Sequence, residues 1–337
     1  MALSPNLQSK VGGRYPPPYP IVSGLSSRFL RNPRPSIHAY IVPLGYTERM
    51  AARKKTLVAW IAPHHVALAK KVAKLANLKL VAIGSSDHSI LPDMAAKLKA
   101  EACDDIRAMI TEYDEAILWI SEPSAYEVSI CDLLRHRTQP TVTSTPLFGN
   151  MDDLVPEAGK TPAAKYIPLF RRSTSYGEAT DDIEQYGQPI SAHCTMTCSE
   201  VEGTLWSRLF DAMDCMNGLF GTPETVQAFL HSTKIPDEPC DLFGHMTVNL
   251  QFQQQRCATL LLSDQSSWKR EVQMIGNEHS ITFGDGDATP AQLIADGIQS
   301  TETTMADAPR VLALCEAARL SCLTGASELP SRVLEMF

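Results

Sequence analysis

Adjacent histidines are the first candidates for chemistry in this sequence. His64 and His65 follow a short apolar run, and His88 comes after the next one. Imidazole is a common metal ligand, but adjacent side chains usually point apart, and no carboxylate or thiolate motif accompanies these histidines. The pattern therefore favours a structural role for all three residues over a metal site.

A second group combines His193, Cys194 and Cys198. These residue types bind zinc, but they lie in a predicted strand, where neighbours point to opposite faces and residues four apart are roughly 13 Å distant. They cannot share one ion. We interpret four cysteines as small buried hydrophobic residues: Cys194, Cys198, Cys215 and Cys322. Asp285-Gly286-Asp287 lacks the remaining ligands of a calcium loop and is predicted to be a turn.

A predicted helix from Thr204 to Phe220 carries the third group. Its apolar residues share one stripe at about 100° per residue, and this stripe is expected to face the core: Leu205, Leu209, Met213, Met216 and Phe220. Ser207, Asp211 and Asp214 fall on the opposite stripe. That polar stripe is either a solvated helix face or one wall of a cleft.

The hydrophobic pattern of the predicted strands and helices differs between the two halves of the chain. In the first half, short apolar runs alternate with segments of helical spacing. We predict strands over 56–62, 78–84, 115–121 and 141–145, and helices over 66–75, 93–102, 106–113 and 126–135. Strands that alternate with helices form a parallel sheet with right-handed crossovers. The fold class is therefore α/β, with an N-terminal Rossmann-like parallel sheet domain.

The loop after the first strand lacks the signature of a dinucleotide site. In such a sheet, glycines let the backbone approach a pyrophosphate closely at the positive end of a helix. Here the loop is Ala62-Pro63-His64-His65-Val66-Ala67, with no glycine and with a proline that has no N–H. The candidate cofactor contacts at the strand ends are Ala62, His64, His65, Ser85, Asp87 and Ser121. Asp87 could bind an adenosine ribose, although a surface turn is the simpler interpretation.

From residue 190 the hydrophobic pattern changes to period two. The segment His245–Phe252 alternates polar and apolar residues, and further strands are predicted over 188–197, 257–263, 271–275 and 280–283. This predicts a C-terminal α+β domain with a mainly antiparallel, open-faced sheet. Asn249, Gln251 and Gln253 make one face polar but uncharged, which suits a partner subunit better than solvent. We expect a homodimer or homotetramer assembled through this sheet.

Length and composition divide the chain. With 337 residues, of which 44% are hydrophobic, it can form two cores. The predicted division is a Pro/Arg-rich extension over 1–49, a Rossmann-like domain over 50–148, a substrate and oligomerisation domain over 149–310, and a terminal helix over 311–337 that packs back between the domains. The extension holds eight of the 23 prolines. It is either a disordered tail or sequence upstream of a natural start at Met50.

The overall charge and the apolar runs exclude several function classes. A net charge of −8 argues against a nucleic-acid binder that relies on phosphate contacts. The longest apolar runs are strand-sized, far below the roughly 20 residues of a membrane span. Nine irregularly spaced cysteines indicate free thiols in a reducing compartment, so a cytoplasmic location is expected.

Six short motifs occur in order at compatible spacing. They are Ser121–Tyr126, Thr143–Leu147, Phe170–Arg172, Tyr186–Ile190, Gly203–Val226 and Leu314–Gly325. Together they resemble the glucose–fructose oxidoreductase and inositol dehydrogenase family, written Gfo/Idh/MocA, from about Lys55 to the C-terminus. The resemblance implies a Rossmann-like domain followed by an open-faced sheet. It also implies NAD or NADP as cofactor, and oxidation or reduction of a sugar or polyol carbon by a lysine and a histidine.

The sequence departs from this family at the catalytic positions. Thr145 stands where the lysine would be, Asp211 where the histidine would be, and Ser207 where an aspartate would precede it. Tyr126 replaces a further histidine of the first motif. Thr145 cannot supply the positive charge of a lysine, so the usual stabilisation of developing negative charge is missing.

Two hypotheses about function follow from these departures. The first is a divergent homologue that has lost the usual redox chemistry and binds a sugar-like ligand or acts as a partner subunit. The second is an active NAD(P)-dependent oxidoreductase of a sugar or polyol, with Asp211 as the base and Tyr126 as a proton donor. The candidate catalytic residues are Asp211, Tyr126 and Thr145, and the candidate substrate-binding residues are Arg171, Arg172, Ser207 and Asp214.

Overall fold

A computed structural model of the chain describes residues 55–122, 128–146, 164–187, 189–233, 235–277, 279–300 and 308–335. All of them belong to the second of two units of the chain, Ala52–Phe337. The predicted extension over 1–49 and the candidate residue Tyr126 lie outside the described residues. Two six-stranded sheets form within the described part of the chain.

The first sheet is parallel throughout. Its strands are β1 (Thr56–Trp60), β2 (Lys79–Gly84), β3 (Glu101–Ala102), β4 (Ile117–Ile120), β5 (Thr141–Thr143) and β6 (Lys165–Tyr166). They lie in the order β3-β2-β1-β4-β5-β6, with every neighbouring pair parallel. This is the doubly wound order that reverses between β1 and β4. The predicted Rossmann-like sheet is confirmed, with β3 and β6 added to the predicted strands.

Helices cover both faces of this sheet and complete the first lobe. They are α1 (Val66–Leu75), α2 (Leu91–Leu98), α3 (Ile106–Glu112) and α4 (Val128–Arg135). Leu57 and Ile61 of the first strand and its extension pack in one cluster, and Val58 and Trp60 pack in the cluster on the other side. Burial on both faces explains why the segment is apolar without alternation.

The end of α2 differs from the prediction, which continued the helix to residue 102. Lys99 adopts a left-handed conformation with φ 53°, which ends the helix. The chain then returns to the sheet as β3 beside β2. At the end of β2, Gly84 lies under the ring of Trp60, and a Cβ at Gly84 would also lie 2.8 Å from the carbonyl oxygen of Cys103. Only glycine fits this contact.

The second sheet is mixed and mainly antiparallel. Its strands are β7 (Ser191–Ser199), β8 (Thr225–His231), β9 (His245–Gln251), β10 (Cys257–Ser263), β11 (Gln265–Ile275) and β12 (Ser280–Gly284). Their order is β12-β11-β7-β10-β9-β8, and only β7 and β10 pair in parallel. The predicted sheet is confirmed. The sequence patterning missed β8 and the first half of β11.

The remaining described helices are α5 (Thr174–Tyr186), α6 (Leu205–Phe220), α7 (Pro290–Gln299), α8 (Ala308–Thr324) and α9 (Pro330–Leu334). The helices α6 and α8 pack on the inner face of the second sheet and form the second lobe with it. On the outer face, residues such as His193 and Asn249 are exposed. Gln253, predicted on that face, lies instead in the turn after β9. None of the helices in the described ranges is long and apolar enough to cross a membrane.

The helix α7 joins the two lobes. Ala291, Ile294 and Ile298 of this helix are buried in the same cluster as α1 residues of the first lobe. The terminal helix α8 packs against α6 and β8 within the second lobe. The chain therefore returns to its first lobe through α7 before it ends.

Candidate functional site

The residues predicted to contact a cofactor lie at the carboxyl ends of β1, β2 and β4. In doubly wound sheets this edge binds ligands in the crevice where the strand order reverses. The loop after β1 passes through a 3₁₀ turn, Pro63–His65, directly into α1. The His65 N–H donates to the Ala62 carbonyl at 2.9 Å. That N–H is therefore used inside the turn.

The His65 side chain fills the space between the ends of β1 and β4. It is 2% exposed, and its Nδ1 lies 2.9 Å from the Oγ of Ser121. Its Nε2 is buried with no hydrogen-bond partner among the described residues. Burial, together with the neighbouring His64, lowers the pKa of His65 to about 3. The ring is therefore neutral at neutral pH.

Glu122 covers the crevice on its other side. The residue is 6% exposed, and its carboxylate accepts hydrogen bonds from the Ser86 N–H at 2.9 Å, from the Ser86 hydroxyl and, at 3.4 Å, from the Ser85 hydroxyl. Because β1 lies between β2 and β4 in the sheet, this contact passes over the end of β1. Asp87 accepts from the N–H and hydroxyl of Ser89, in agreement with its interpretation as a surface turn.

These residues do not fit a nicotinamide dinucleotide bound in the crevice. Pyrophosphate binding needs free backbone N–H groups, close backbone approach and an environment that favours negative charge. Here Pro63 has no N–H, an imidazole occupies the space, and the buried carboxylate of Glu122 lies at the same edge of the sheet. Partial burial also lowers the pKa of His64, against the opposing effect of Glu200 and Glu122. No histidine of the loop supplies a positive charge at neutral pH.

Two further candidates lie at the junction between β5 and α6. Thr145 is buried, its N–H donates to the Thr143 hydroxyl at 3.2 Å, and its own hydroxyl lies 3.5 Å from the Ser121 carbonyl. The Ser207 hydroxyl donates to the Ser144 carbonyl at 3.1 Å. The structure thus brings Thr145 close to Ser121. Ser207 links the lobes through a backbone contact.

Asp211 lies inside the second lobe and is 0% exposed. Its Oδ1 accepts the Phe170 N–H at 2.7 Å, and its Oδ2 pairs with Nη1 of Arg270 at 2.8 Å. Arg270 also pairs with Asp285. Burial by itself lowers the pKa of Arg270, but Asp211 and Asp285 raise it above its usual value. This geometry gives Asp211 a structural role, because no part of its carboxylate is open to a substrate.

The polar stripe of α6 is covered along its length. Asp214 pairs with Nε of Arg171 at 3.0 Å, and the Tyr166 hydroxyl donates to the Ser207 carbonyl at 3.1 Å. Ser207 and Asp211 are 0% exposed and Asp214 is 3% exposed. The two alternatives left by the sequence, a solvated face and a cleft wall, are both wrong, because the segment 165–172 packs over the stripe.

An open cavity of about 560 Å³ lies elsewhere, between the segment 165–175, the end of β12 and α7. Arg172, a candidate substrate-binding residue, is part of its lining. The charged residues that line it are Lys165, Arg172, Arg270, Glu178, Asp285 and Asp296. The Lys165 ammonium donates to the carbonyls of Gly297 and Ser300 at 3.3 and 3.2 Å. Hydroxyl groups of Ser173, Thr174 and Ser175 complete a polar wall.

The architecture is similar to that of several solved dehydrogenases. Myo-inositol dehydrogenase from Lactobacillus casei, in complex with NAD(H) and myo-inositol, is 13% identical with a TM-score of 0.60, over 82% of this chain and 96% of that chain. GenD2 from gentamicin A biosynthesis, in complex with NAD, is 14% identical with a TM-score of 0.62, over 86% and 99%. A myo-inositol dehydrogenase from Corynebacterium glutamicum is 15% identical with a TM-score of 0.57, over 82% and 98%.

The chain has the Gfo/Idh/MocA fold. The fold implied by the six motifs is therefore confirmed, while an identity of 12–15% leaves the activity to be argued from the site. No protein-family model and no curated protein sequence matches the chain. Within the described residues, no group of three or more His, Cys, Asp or Glu side chains could hold a metal ion.

Within this Gfo/Idh/MocA fold, the sequence reasoning missed Glu122 and Arg270. Glu122 is the second residue after the buried strand β4, and a carboxylate so close to a strand end is visible in the sequence. Arg270 lies on β11, and its partner Asp211 lies 59 positions earlier in the sequence. No local pattern links the two residues. Only the structure shows that Arg208 on α6 and Arg270 on β11 are buried.

Proposed function

We propose that this chain, which has the fold of sugar and polyol dehydrogenases, binds a neutral sugar-like ligand or polyol without nicotinamide-dependent redox chemistry. The observation that carries the proposal is the open cavity of about 560 Å³ between the lobes, which has both charged and apolar residues in its lining and lies apart from the closed nucleotide crevice. Its volume falls within the usual range for small-molecule sites. Arg172 and Glu178 lie in its lining, and their side chains extend to the surface.

The balance of charge in this cavity favours a neutral ligand. Three basic and three acidic side chains line it, so no net charge selects an anion or a cation. The hydroxyls of a polyol both donate and accept hydrogen bonds, which matches a wall of carboxylates, ammonium or guanidinium groups and Ser or Thr hydroxyls. Leu293, which is half-buried, offers an apolar contact to the C–H face of a sugar ring.

A panel of inositols, alditols and hexoses, with a uronate and a sugar phosphate for comparison, tests the proposal by thermal unfolding and calorimetry. A ligand that binds the native state raises the unfolding temperature by linkage. We expect the neutral members to bind, and Arg172→Ala and Glu178→Gln to abolish binding. Arg310→Ala, an exposed arginine on α8, is the matched control. If no neutral member binds the wild-type chain, the proposal is wrong.

The second function is an active NAD(P)-dependent oxidoreductase that uses Asp211 and Tyr126. It is favoured by solved neighbours that hold NAD(H) and opposed by the pairing of Asp211 with Arg270. Reduction of NAD⁺ or NADP⁺ by any member of the panel, followed by nicotinamide absorbance, would establish it. Such turnover should then fall in Asp211→Asn and Tyr126→Phe. Turnover would overturn the non-redox proposal.

We further propose that the chain forms a homodimer or homotetramer through the outer face of its second sheet. Phe229, Thr247 and Leu261 occupy one cross-strand row on this face, and Phe229 and Leu261 are 54% and 48% exposed. Apolar residues exposed in a row are typical of protein contacts. Sedimentation equilibrium should show an oligomer for the wild-type chain and a monomer for Leu261→Lys. Leu323→Lys, on α8, is the control. A monomeric wild-type chain contradicts the assembly.

A further inference from the structure

Side chains tie together the three loops at the carboxyl end of the parallel sheet. His65, in the turn after β1, contacts the Ser121 hydroxyl after β4 at 2.9 Å. Glu122 reaches over the end of β1 to the Ser86 N–H and to the hydroxyls of Ser85 and Ser86 after β2. In a doubly wound sheet, the pyrophosphate of a dinucleotide lies at the first of these loops and a ribose reaches the loop after the second strand.

We propose that these contacts form an internal seal that keeps nicotinamide dinucleotides out of the crevice, with Glu122 as a built-in anion on the donors that a ribose or its 2′-phosphate would use. The seal consists of the His65–Ser121 contact and the contacts of Glu122 with Ser85 and Ser86. It extends the proposed function by giving a physical cause for the absence of nicotinamide chemistry.

The seal competes with a dinucleotide in two ways. To enter, the ligand would have to displace the Glu122 carboxylate from three donors and bring phosphate charges close to it. It would also have to move His65, which is 2% exposed and lies against Ser121. Each step leaves a buried polar group without its partner, which costs more than the contact itself contributed.

The charges around the loop do not compensate for this cost. His65 is neutral at neutral pH because burial lowers its pKa to about 3. The acidic groups that act on His64 are Glu200 and Glu122, and both repel a phosphate. Pro63 occupies the position at which a helix N-terminus would offer an N–H. Among these described residues, a pyrophosphate would therefore meet carboxylates and no cation.

Titration of the full wild-type chain with NADH and NADPH tests the seal directly. Nicotinamide fluorescence and calorimetry should show no saturation, with a Kd above about 1 mM for both. Saturable binding below that value would overturn the proposal. Sugar binding in the other cavity is measured separately, so failure of the seal and failure of the proposed function give different results.

Variants establish whether the seal is the cause. Glu122→Ala combined with His65→Gly should bind NADH or NADPH at least about tenfold more tightly than the wild type, a change of about 1.4 kcal/mol. The released donors of Ser85 and Ser86 should favour NADPH over NADH. Glu115→Gln is the matched control, because it removes an exposed carboxylate just before β4, the strand that Glu122 follows.

Folding of each variant is checked by circular dichroism and cooperative unfolding. Glu122→Ala alone and His65→Gly alone replace the double variant if that protein does not fold, because each of them removes one part of the seal. A folded variant that binds no better than the wild type would show that the seal does not exclude the cofactor, and the proposal would fail.

Discussion

The nucleotide crevice and the cavity between the lobes contain similar residue types, yet one is closed and the other is open. In the crevice, His65 contacts Ser121 in the loop after β4, and Glu122 contacts Ser86 in the loop after β2. Each side chain therefore finds its partner in another loop across the crevice. In the cavity, Lys165 is held by carbonyls of α7 and the residue after it, and Arg270 by Asp211 and Asp285. Asp285, Gly297 and Ser300 line the same cavity as the cations that they bind, and these contacts leave an open space of about 560 Å³.

This difference shows that carboxylates, hydroxyls and cations at a strand end do not by themselves define a binding site. What matters is whether the hydrogen-bond or ion-pair partner of each polar group comes from the protein or from a ligand. A buried polar group that is fully paired within the protein rigidifies its surroundings. The polar groups of the crevice are paired in this way, whereas the lining of the cavity includes the exposed side chain of Glu178.

The largest effect on stability is expected at Asp211, whose carboxylate pairs with Arg270 in the lining of the cavity. Asp211→Ala leaves Arg270 without one of its two carboxylates and the Phe170 N–H without an acceptor. We expect a loss of about 3–5 kcal/mol in the free energy of unfolding, because a buried charge loses its partner. Chemical denaturation measures it. Asp211→Asn keeps an acceptor and should lose less; equal losses, or a loss below about 1 kcal/mol, would contradict the structural role.

In the crevice, Glu122→Ala removes a buried carboxylate, as Asp211→Ala does beside the cavity. It removes a buried acceptor from three donors, and we expect a loss of about 2–3 kcal/mol in the free energy of unfolding. Glu115→Gln, at the exposed amino end of β4, should change it by less than about 0.5 kcal/mol. If the two variants unfold at the same denaturant concentration, Glu122 does not close the crevice.

The pH dependence of stability distinguishes the two regions, because the crevice contains the buried His65 and the described lining of the cavity contains no histidine. The pKa of His65 is about 3 in the folded state, below its usual 6.5. Between these values the unfolded state binds more protons, so stability is lost as the pH falls. The loss amounts to about 2 kcal/mol on going from pH 7 to pH 5. Unfolding at the two pH values measures it.

Two variants assign this loss of stability to His65. His65→Gln should remove most of the difference between pH 7 and pH 5, since glutamine does not titrate. His193→Gln, on the exposed outer face of the second sheet, should retain it. An unchanged pH dependence in His65→Gln would show that the ring is not held neutral in the crevice.

The smallest effect on stability is expected at the open cavity. Arg172 is exposed, and Arg172→Ala should change the free energy of unfolding by no more than about 0.5 kcal/mol. The same variant should lose binding of the neutral sugar or polyol. A large loss of stability would mean that Arg172 is part of the scaffold, as Glu122 is, and the distinction between the two regions would disappear.

Local patterns predicted much of the fold. The helix α1 runs over Val66–Leu75 as predicted, because its apolar positions repeat at helical spacing and its lysines face outward. The helix α5 was missed because Ser, Thr, Gly and Asp are weak helix formers. It forms because Ser173 caps its first turn and because Tyr176 and Ala179 pack in the core. In that case tertiary contacts outweighed local propensity.

The candidate site was predicted less completely than the fold. The absence of a glycine loop is visible in the sequence, and it pointed to an altered crevice. The side chains that fill the crevice are not visible there, because Ser86 and Glu122 are 36 positions apart. Asp211 is a similar case: helical periodicity placed it on a polar stripe, and only packing shows that segment 165–172 covers that stripe.

The alternation of strands and helices, the change to a period-two sheet and the absence of glycine from the loop after the first strand are all visible in the sequence. These properties depend on residue type and short-range spacing. The tertiary structure alone decided that Glu122 and His65 close one polar region and that Arg172 borders an open one. The reason is physical: a hydrogen bond or ion pair depends on which distant side chain arrives within about 3 Å, and spacing along the chain does not contain that distance.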